Sequence, residues 1–258
     1  MGMTKFAYLI EPPFNYRDAN GTVTGCDVYL ARTVLKMVGQ HDFETVETEF
    51  AHLLPDLAEG RWRMTTGLFA TEERRRIAAF SRPIWALPDG LLVQEGNPLR
   101  LTGYRSVVKT DGCKLAVIRY QIQRRSAVDL GVPEHRILVF ETYTEAARAV
   151  ADGEAHAYAS VARAHSGFLE RYPDIQLEVV AVGPDEKEPA FGSFAFGKSD
   201  DGFRQAIDEA LLVYLGSSEH RAMMKKFGFS DAEVDLVAGF NQNYVRIDAL
   251  PIAKLTRP

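Results

Sequence analysis

Strand-type and helix-type patterns alternate along almost the whole chain, and that alternation leaves few architectures open. Residues 5–9 read as a strand, and residues 27–38 as a helix in which Val28, Ala31, Val34, Leu35 and Val38 recur at helical spacing before Gly39 stops it. Residues 43–48 read as a second strand, 53–58 as a short helix and 64–69 as a third strand. Strand-helix-strand order predicts mostly parallel sheets, because a helical crossover carries the chain back to the end of the sheet where the previous strand began.

The pattern then repeats as a second α/β unit. A strand over 114–118 leads to a helix over 121–130 ended by Gly131, and a strand over 137–140 precedes Thr142-x-x-Glu145, the signature of a capped helix that runs to Gly153. Strands over 157–160 and 175–180, with a helix between them, complete this unit. The chain returns through residues 191–196 into helices over 205–215 and 219–227 and a second capping box, Ser230-x-x-Glu233. The expected organisation is therefore one lobe made of residues 1–92 and 194–258 and another of residues 93–193, crossed twice near Leu92 and Ser193. Such a two-segment hinge lets rigid lobes close on a ligand held at the carboxyl ends of their strands.

Composition excludes several function classes. A chain of 258 residues with 46% hydrophobic content can bury a sizeable core, and no apolar run approaches the ~18 residues that a membrane span needs. The 30 basic and 35 acidic residues give a net charge of −5, which argues against a nucleic-acid footprint. Arg74-Arg75-Arg76 is the local basic cluster, too short for a phosphate-binding stripe, and is expected to turn one Arg inward and two outward. Cys26 and Cys113 fall in different lobes and are expected as separate buried thiols. Six scattered histidines lack metal-ligand spacing, and no Ser-His-Asp order, His-Glu-x-x-His or phosphate loop occurs, so neither a metal, a cofactor nor a catalytic residue is assigned.

Three short runs do suggest binding chemistry: Glu11-Pro12-Pro13-Phe14, Phe50 within Glu-Phe-Ala-His, and Gly67-Leu68-Phe69 followed by Arg74. Brought to one cleft they would supply ring faces, a carboxylate and a guanidinium. A cation over an aromatic face gains roughly 0.5 to 2 kcal/mol, and an Arg fork grips a carboxylate bidentately, which suits a small zwitterion with a diffuse positive charge. The plainer alternative is equally open from the residues themselves: phenylalanines in strands and helices are usually core, and an Arg in a charged run is usually solvated.

Pro13-Phe14, Gly21 to Gly25 ahead of a helix, Leu54-Pro55-x-Leu57-x-x-Gly60, Thr71-Glu72-Glu73-Arg74 and Phe80-Ser81-Arg82-Pro83 resemble the amino-acid-type solute-binding proteins of ABC uptake systems. Similarity continues through Gly131-Val132-Pro133 to Phe227-Gly228-Phe229-Ser230. Within that family the Glu-Pro-Pro-Phe turn, the Gly-Leu-Phe run and Gly96-Asn97-Pro98-Leu99 resemble the ectoine and hydroxyectoine receptors. The resemblance implies a two-lobed α/β fold of the periplasmic-binding-protein type, a monomer that closes on a small zwitterion and presents it to a membrane permease. It implies ligand contacts from Glu11, Phe14, Phe50, Gly67 and Phe69, with Arg74 as the carboxylate anchor and Thr71 capping its helix. From the second lobe it implies Gln121, Ile122 and Tyr158.

Departures from the family pattern bear on the ligand. Gly60-Arg61-Trp62-Arg63 lacks the acidic residue usual three after the glycine, and Tyr120-Gln121-Ile122-Gln123 replaces a Gly-Thr turn, leaving backbone N–H groups or the Gln121 side chain to donate. Tyr158-Ala159-Ser160 stands where relatives that bind ordinary amino acids offer an Asp to the ammonium, which favours a delocalised or alkylated cation. Cyclohexadienyl dehydratases resemble the same fold, so Glu11 is also a conceivable acid; a polar amino acid is the other alternative ligand. Residues 1–5 carry no export-signal pattern, so the expected location is periplasmic with the signal removed, the alternative being a cytoplasmic relative.

Overall fold

The structure, a computed structural model, describes residues 3–242. The chain divides into two compact units, Met1–Ala86 with Phe191–Pro258, and Leu87–Ala190. The part of the expected first lobe over 243–258 lies outside the described residues.

In the first unit, β1 (Thr4–Tyr8) is followed by the short pair β2 (Tyr16–Arg17) and β3 (Val23–Thr24), then α1 (Cys26–Met37) and β4 (Phe43–Glu47). Next come α2 (Leu53–Ala58), β5 (Met64–Thr65), β6 (Leu68–Phe69), α3 (Glu72–Ile77), β7 (Ala78–Phe80) and β8 (Trp85–Leu87). The second unit holds β9 (Asp89–Gln94), α4 (Tyr104–Lys109), β10 (Leu115–Ile118), α5 (Ile122–Asp129) and β11 (Ile137–Phe140). It continues with α6 (Tyr143–Ala151), β12 (Ala157–Val161), α7 (Ala162–Arg171) and β13 (Leu177–Ala181). The returning chain forms β14 (Ala190–Ser193), β15 (Ala195–Gly197), α8 (Asp201–Tyr214), α9 (Ser218–Lys226) and α10 (Asp231–Gln242).

Each unit has a parallel centre and antiparallel additions. In the sheet β4-β1-β5-β15-β7, β1 runs parallel to β4 and β5, while β15 pairs antiparallel with β5 and β7. In β11-β10-β12-β9-β13, β10 runs parallel to β11 and β12, and β9 is antiparallel to both of its neighbours. The sequence put the outward crossing at 92/93, but β9 is one unbroken strand whose residues 89–94 all pair inside the second unit, so the division falls earlier, at Ala86/Leu87.

Local chemistry explains the element ends. Gly39, at φ 78°, lets Gln40 N–H reach Leu35 O at 2.8 Å and Gly39 N–H reach Lys36 O at 3.1 Å, the paired bonds that close a helix C-terminus. Both capping boxes form: Thr142 Oγ1 accepts from Glu145 N–H while Glu145 Oε2 accepts from Thr142 N–H, and Ser230 with Glu233 does the same. The expected strand over 64–69 is two strands in different sheets, β5 and β6, broken at Thr66-Gly67; the expected strand over 191–196 is likewise broken at Phe194 into β14 and β15. Arg63 pairs with Asp200 and stacks at 3.7 Å over the Phe203 ring, tying β5 to α8. Cys26 and Cys113 are buried thiols in separate units, as expected.

The second unit buries a neutral histidine. His165 Nε2–H donates to Gly90 O at 3.2 Å and Nδ1 accepts from the Tyr143 hydroxyl at 2.5 Å, a tautomer dictated by the carbonyl, which can accept but not donate. Burial lowers its pKa from 6.5 to about 3, and burial lowers that of His220, in the first unit, to about 4. The unfolded chain therefore binds protons below 6.5 that the folded chain refuses until about 3 to 4, so stability held above 6.5 is lost progressively as pH falls through that window. The urea midpoint should fall on going from about pH 7 to about pH 4.5, and His165→Gln should flatten that slope; an unchanged slope would show that His165 does not carry it.

Candidate functional site

The first unit organises its candidate residues around one buried carboxylate. Gly25 precedes α1 at φ 127°, and a Cβ there would lie 2.0 Å from Phe14 O, so only glycine lets the Glu11–Phe14 turn close against the helix start. Within that turn Phe14 N–H donates to Glu11 O at 3.0 Å and Glu11 N–H to Asn15 O at 2.8 Å, which fixes Glu11, half-buried, beside Phe14 in the chain.

Asp27, in the first turn of α1 and 1% exposed, accepts on Oδ2 from Thr66 Oγ1–H (2.6 Å) and Gly67 N–H (2.8 Å), and on Oδ1 from Trp85 Nε1–H (3.1 Å). Asn15 Nδ2 donates in turn to Thr66 Oγ1 at 2.6 Å. Burial pushes the Asp27 carboxyl above its usual range, while these donors pull the other way. The same bonds explain the break in the expected strand: Thr66 and Gly67 turn toward Asp27 instead of continuing β5.

Trp85 fills the space so opened. A Cβ on Gly67 would lie 2.7 Å from its six-membered ring and one on Gly192 only 2.0 Å away, so both glycines exist to admit the indole. Its ring centroid lies 5.5 Å from Phe14, at a tilt, and 5.4 Å from Phe69, edge to face. Phe14 also meets Phe229 at 6.2 Å and is 3% exposed, so its ring is enclosed by aromatic neighbours within the unit. Phe50 and Phe69 stay half-buried.

Arg74 comes to these two rings. Thr71 Oγ1 accepts from Arg74 N–H at 3.3 Å as the N-cap of α3, the capping role expected for it. The guanidinium donates through Nη1 to Phe69 O at 3.0 Å and lies 5.1 Å over the Phe50 ring. Burial lowers its pKa from 12.5 to about 10, Glu73 opposing, so the half-buried side chain remains a cation at neutral pH. The expectation of one inward and two outward arginines needs correction, because Arg75 also folds back, donating to Ala70 O at 2.9 Å and lying 5.7 Å over Phe80, while Arg76 pairs outward with Glu72.

The second-unit candidates differ from one another. Gln121 is the N-cap of α5 and 8% exposed, and its Oε1 is enclosed with no hydrogen-bond partner among the described residues; Ile122, the first residue of α5, is half-buried. Tyr158 is fully buried, 5.0 Å from both Tyr143 and His165, so its ring belongs to the interior of the second unit and the implied ligand contact does not fit its position. Sequence reasoning missed Asp27 and Trp85, whose signals were an acid in the first turn after Gly25 and a lone Trp after Pro83-Ile84. Among the described residues no group of three or more His, Cys, Asp or Glu could hold a metal.

Comparison with known proteins decides the family. The model of the bacterial extracellular solute-binding proteins, family 3, matches residues 5–230. The chain belongs to this family. A probable amino-acid ABC transporter periplasmic-binding protein from Sinorhizobium fredii is 30% identical over 234 residues, covering 88% of this chain and 77% of that relative. The crystal structure of EhuB in complex with hydroxyectoine superposes with a TM-score of 0.80 at 27% identity over 92% of this chain and 94% of EhuB. The arginine-, lysine-, histidine-binding protein ArtJ from Geobacillus stearothermophilus shares the fold, with a TM-score of 0.81 at 22% identity over 92% of this chain and 99% of ArtJ. The expectation of an amino-acid-type solute-binding protein built from two α/β units is thus borne out in family and in fold.

Proposed function

We propose that this family-3 protein captures ectoine, hydroxyectoine or a related amino-acid-like zwitterion and delivers it to an ABC permease, working as a monomer in the periplasm and not as an enzyme. The observation that carries this reading is Arg74, a half-buried guanidinium held by Phe69 O over the Phe50 ring, with half-buried Phe69 beside it. In this reading the fork binds the ligand carboxylate, and the part-exposed faces of Phe50 and Phe69 receive a delocalised cation. Phe14 and Gly67 shape the aromatic wall from behind, and Glu11 accepts a hydrogen bond from the cation. The enclosed Oε1 of Gln121 is the second unit's candidate group, joined by the N–H of Ile122. The likeness to EhuB, whose structure contains hydroxyectoine, supports this class of ligand. β12, Ala157–Val161, offers no acid, so a primary ammonium would lack a charged partner from that strand.

Calorimetric titration with ectoine, hydroxyectoine, glycine betaine, glutamine and arginine tests it. Micromolar or tighter binding of the ectoines, with weak binding of the two amino acids, is expected. Tight arginine or glutamine binding with indifference to ectoine would reject the aromatic assignment, and turnover of prephenate or arogenate would replace the receptor by an enzyme.

A further inference from the structure

Trp85 has no ligand contact of its own in the reading above, yet several unusual features of the first unit exist to seat it. Two glycines from distant segments leave room for its six-membered ring, and Gly192 pairs directly across from Phe69 in the register of β14 on β6. A buried carboxylate fixes the indole N–H. Held at both ends, the indole presents one contact to Phe14 and an edge-to-face contact to Phe69.

We infer that Trp85 is a positioning residue that sets the orientation of the Phe69 ring and so the protein's preference for a delocalised cation. The inference rests on the ligand reading proposed above. Cation–π attraction depends on the ring face being turned to the charge, and a ring free to tilt loses that alignment. Phe69 is half-buried, so the walls behind it decide which face stays open; its β6 backbone is fixed by pairing with Gly192 and Ser193, and the remaining freedom lies in its side-chain torsions. The indole stands against that freedom. A smaller ring at position 85 would leave a gap beside Gly67 and Gly192 into which Phe69 could tilt, and would remove a donor from Asp27.

A double-mutant cycle in ectoine affinity separates positioning from packing. Trp85→Phe should weaken ectoine binding about tenfold, and Gly192→Ala should do the same because its methyl meets the indole, whereas in the Trp85→Phe background the added methyl should cost less than about threefold. Affinities are taken on protein shown to be folded by its circular dichroism. A purely structural role would show the coupling in unfolding midpoints while leaving the dissociation constants of the folded variants unchanged, and that outcome would overturn the inference. Should Trp85→Phe not fold, Trp62→Phe leaves Trp85 as the sole indole, whose emission should shift on saturation with ectoine; no shift at saturation overturns it equally. If the unaltered protein fails to bind ectoine, the functional reading falls first and this inference with it.

Discussion

Arg74→Gln should lower ectoine affinity by roughly a hundredfold or more with the fold intact. Truncating one partner of a desolvated, hydrogen-bonded charge pair costs about 2–5 kcal/mol, and 1.4 kcal/mol is a factor of ten in affinity. Partial burial lowers the pKa of this half-buried guanidinium, and partly desolvated surroundings strengthen its attraction for a carboxylate. The cost to folding should be small, because the helix start depends on Thr71 and the Arg74 backbone N–H, which the variant keeps. Arg74→Lys should fall between, as it retains the charge and loses the fork. Calorimetry on each variant beside its thermal unfolding separates the two effects, and unchanged affinity in Arg74→Gln would remove the carboxylate anchor from the account.

The largest loss of stability is expected for Asp27→Ala. Its carboxylate is the common acceptor for Thr66 Oγ1–H, Gly67 N–H and Trp85 Nε1–H, and the variant leaves these three buried donors to find other acceptors or go without. An unsatisfied buried donor costs about 1–3 kcal/mol, and removing one side of a buried charged network typically about 3–5 kcal/mol. The net should sit near the lower figure, since the carboxylate itself is costly to bury, as its raised pKa shows. Asp27→Asn retains a carbonyl oxygen and should cost less than Ala, although its amide hydrogens then face other donors. Urea unfolding reads the difference; equal stabilities for Ala and the unaltered protein would mean that the three donors are satisfied elsewhere.

Much of the architecture was legible because it is local. The 3.6-residue spacing of α1, the glycine at 39 and the two capping boxes are instructions written within a dozen residues, and the structure follows them. The start of α3 was legible for the same reason, as Thr71 lies three residues before the Arg74 N–H that it caps. What stayed hidden is set by distant partners. The strand over 64–69 breaks because Thr66 and Gly67 bond to an acid some forty residues earlier, and the room for Trp85 is made by Gly67, in that break, and Gly192, far along the chain on β14. Tyr158 was misplaced because all five residues of β12 are buried, so no alternation in the sequence could tell an interior face from a ligand-facing one. Phe14 shows the same ambiguity: its enclosure depends on Phe229, more than two hundred positions away.

The central claim is that Arg74 and the rings of Phe50 and Phe69 together recognise opposite charges on one small solute. A crystal structure of the protein grown with ectoine tests it most directly. The account predicts the ligand carboxylate within hydrogen-bond distance of the Arg74 guanidinium and the ligand ring against Phe69. A bound ectoine whose carboxylate rests on other donors, with Arg74 turned to bulk water, would contradict it.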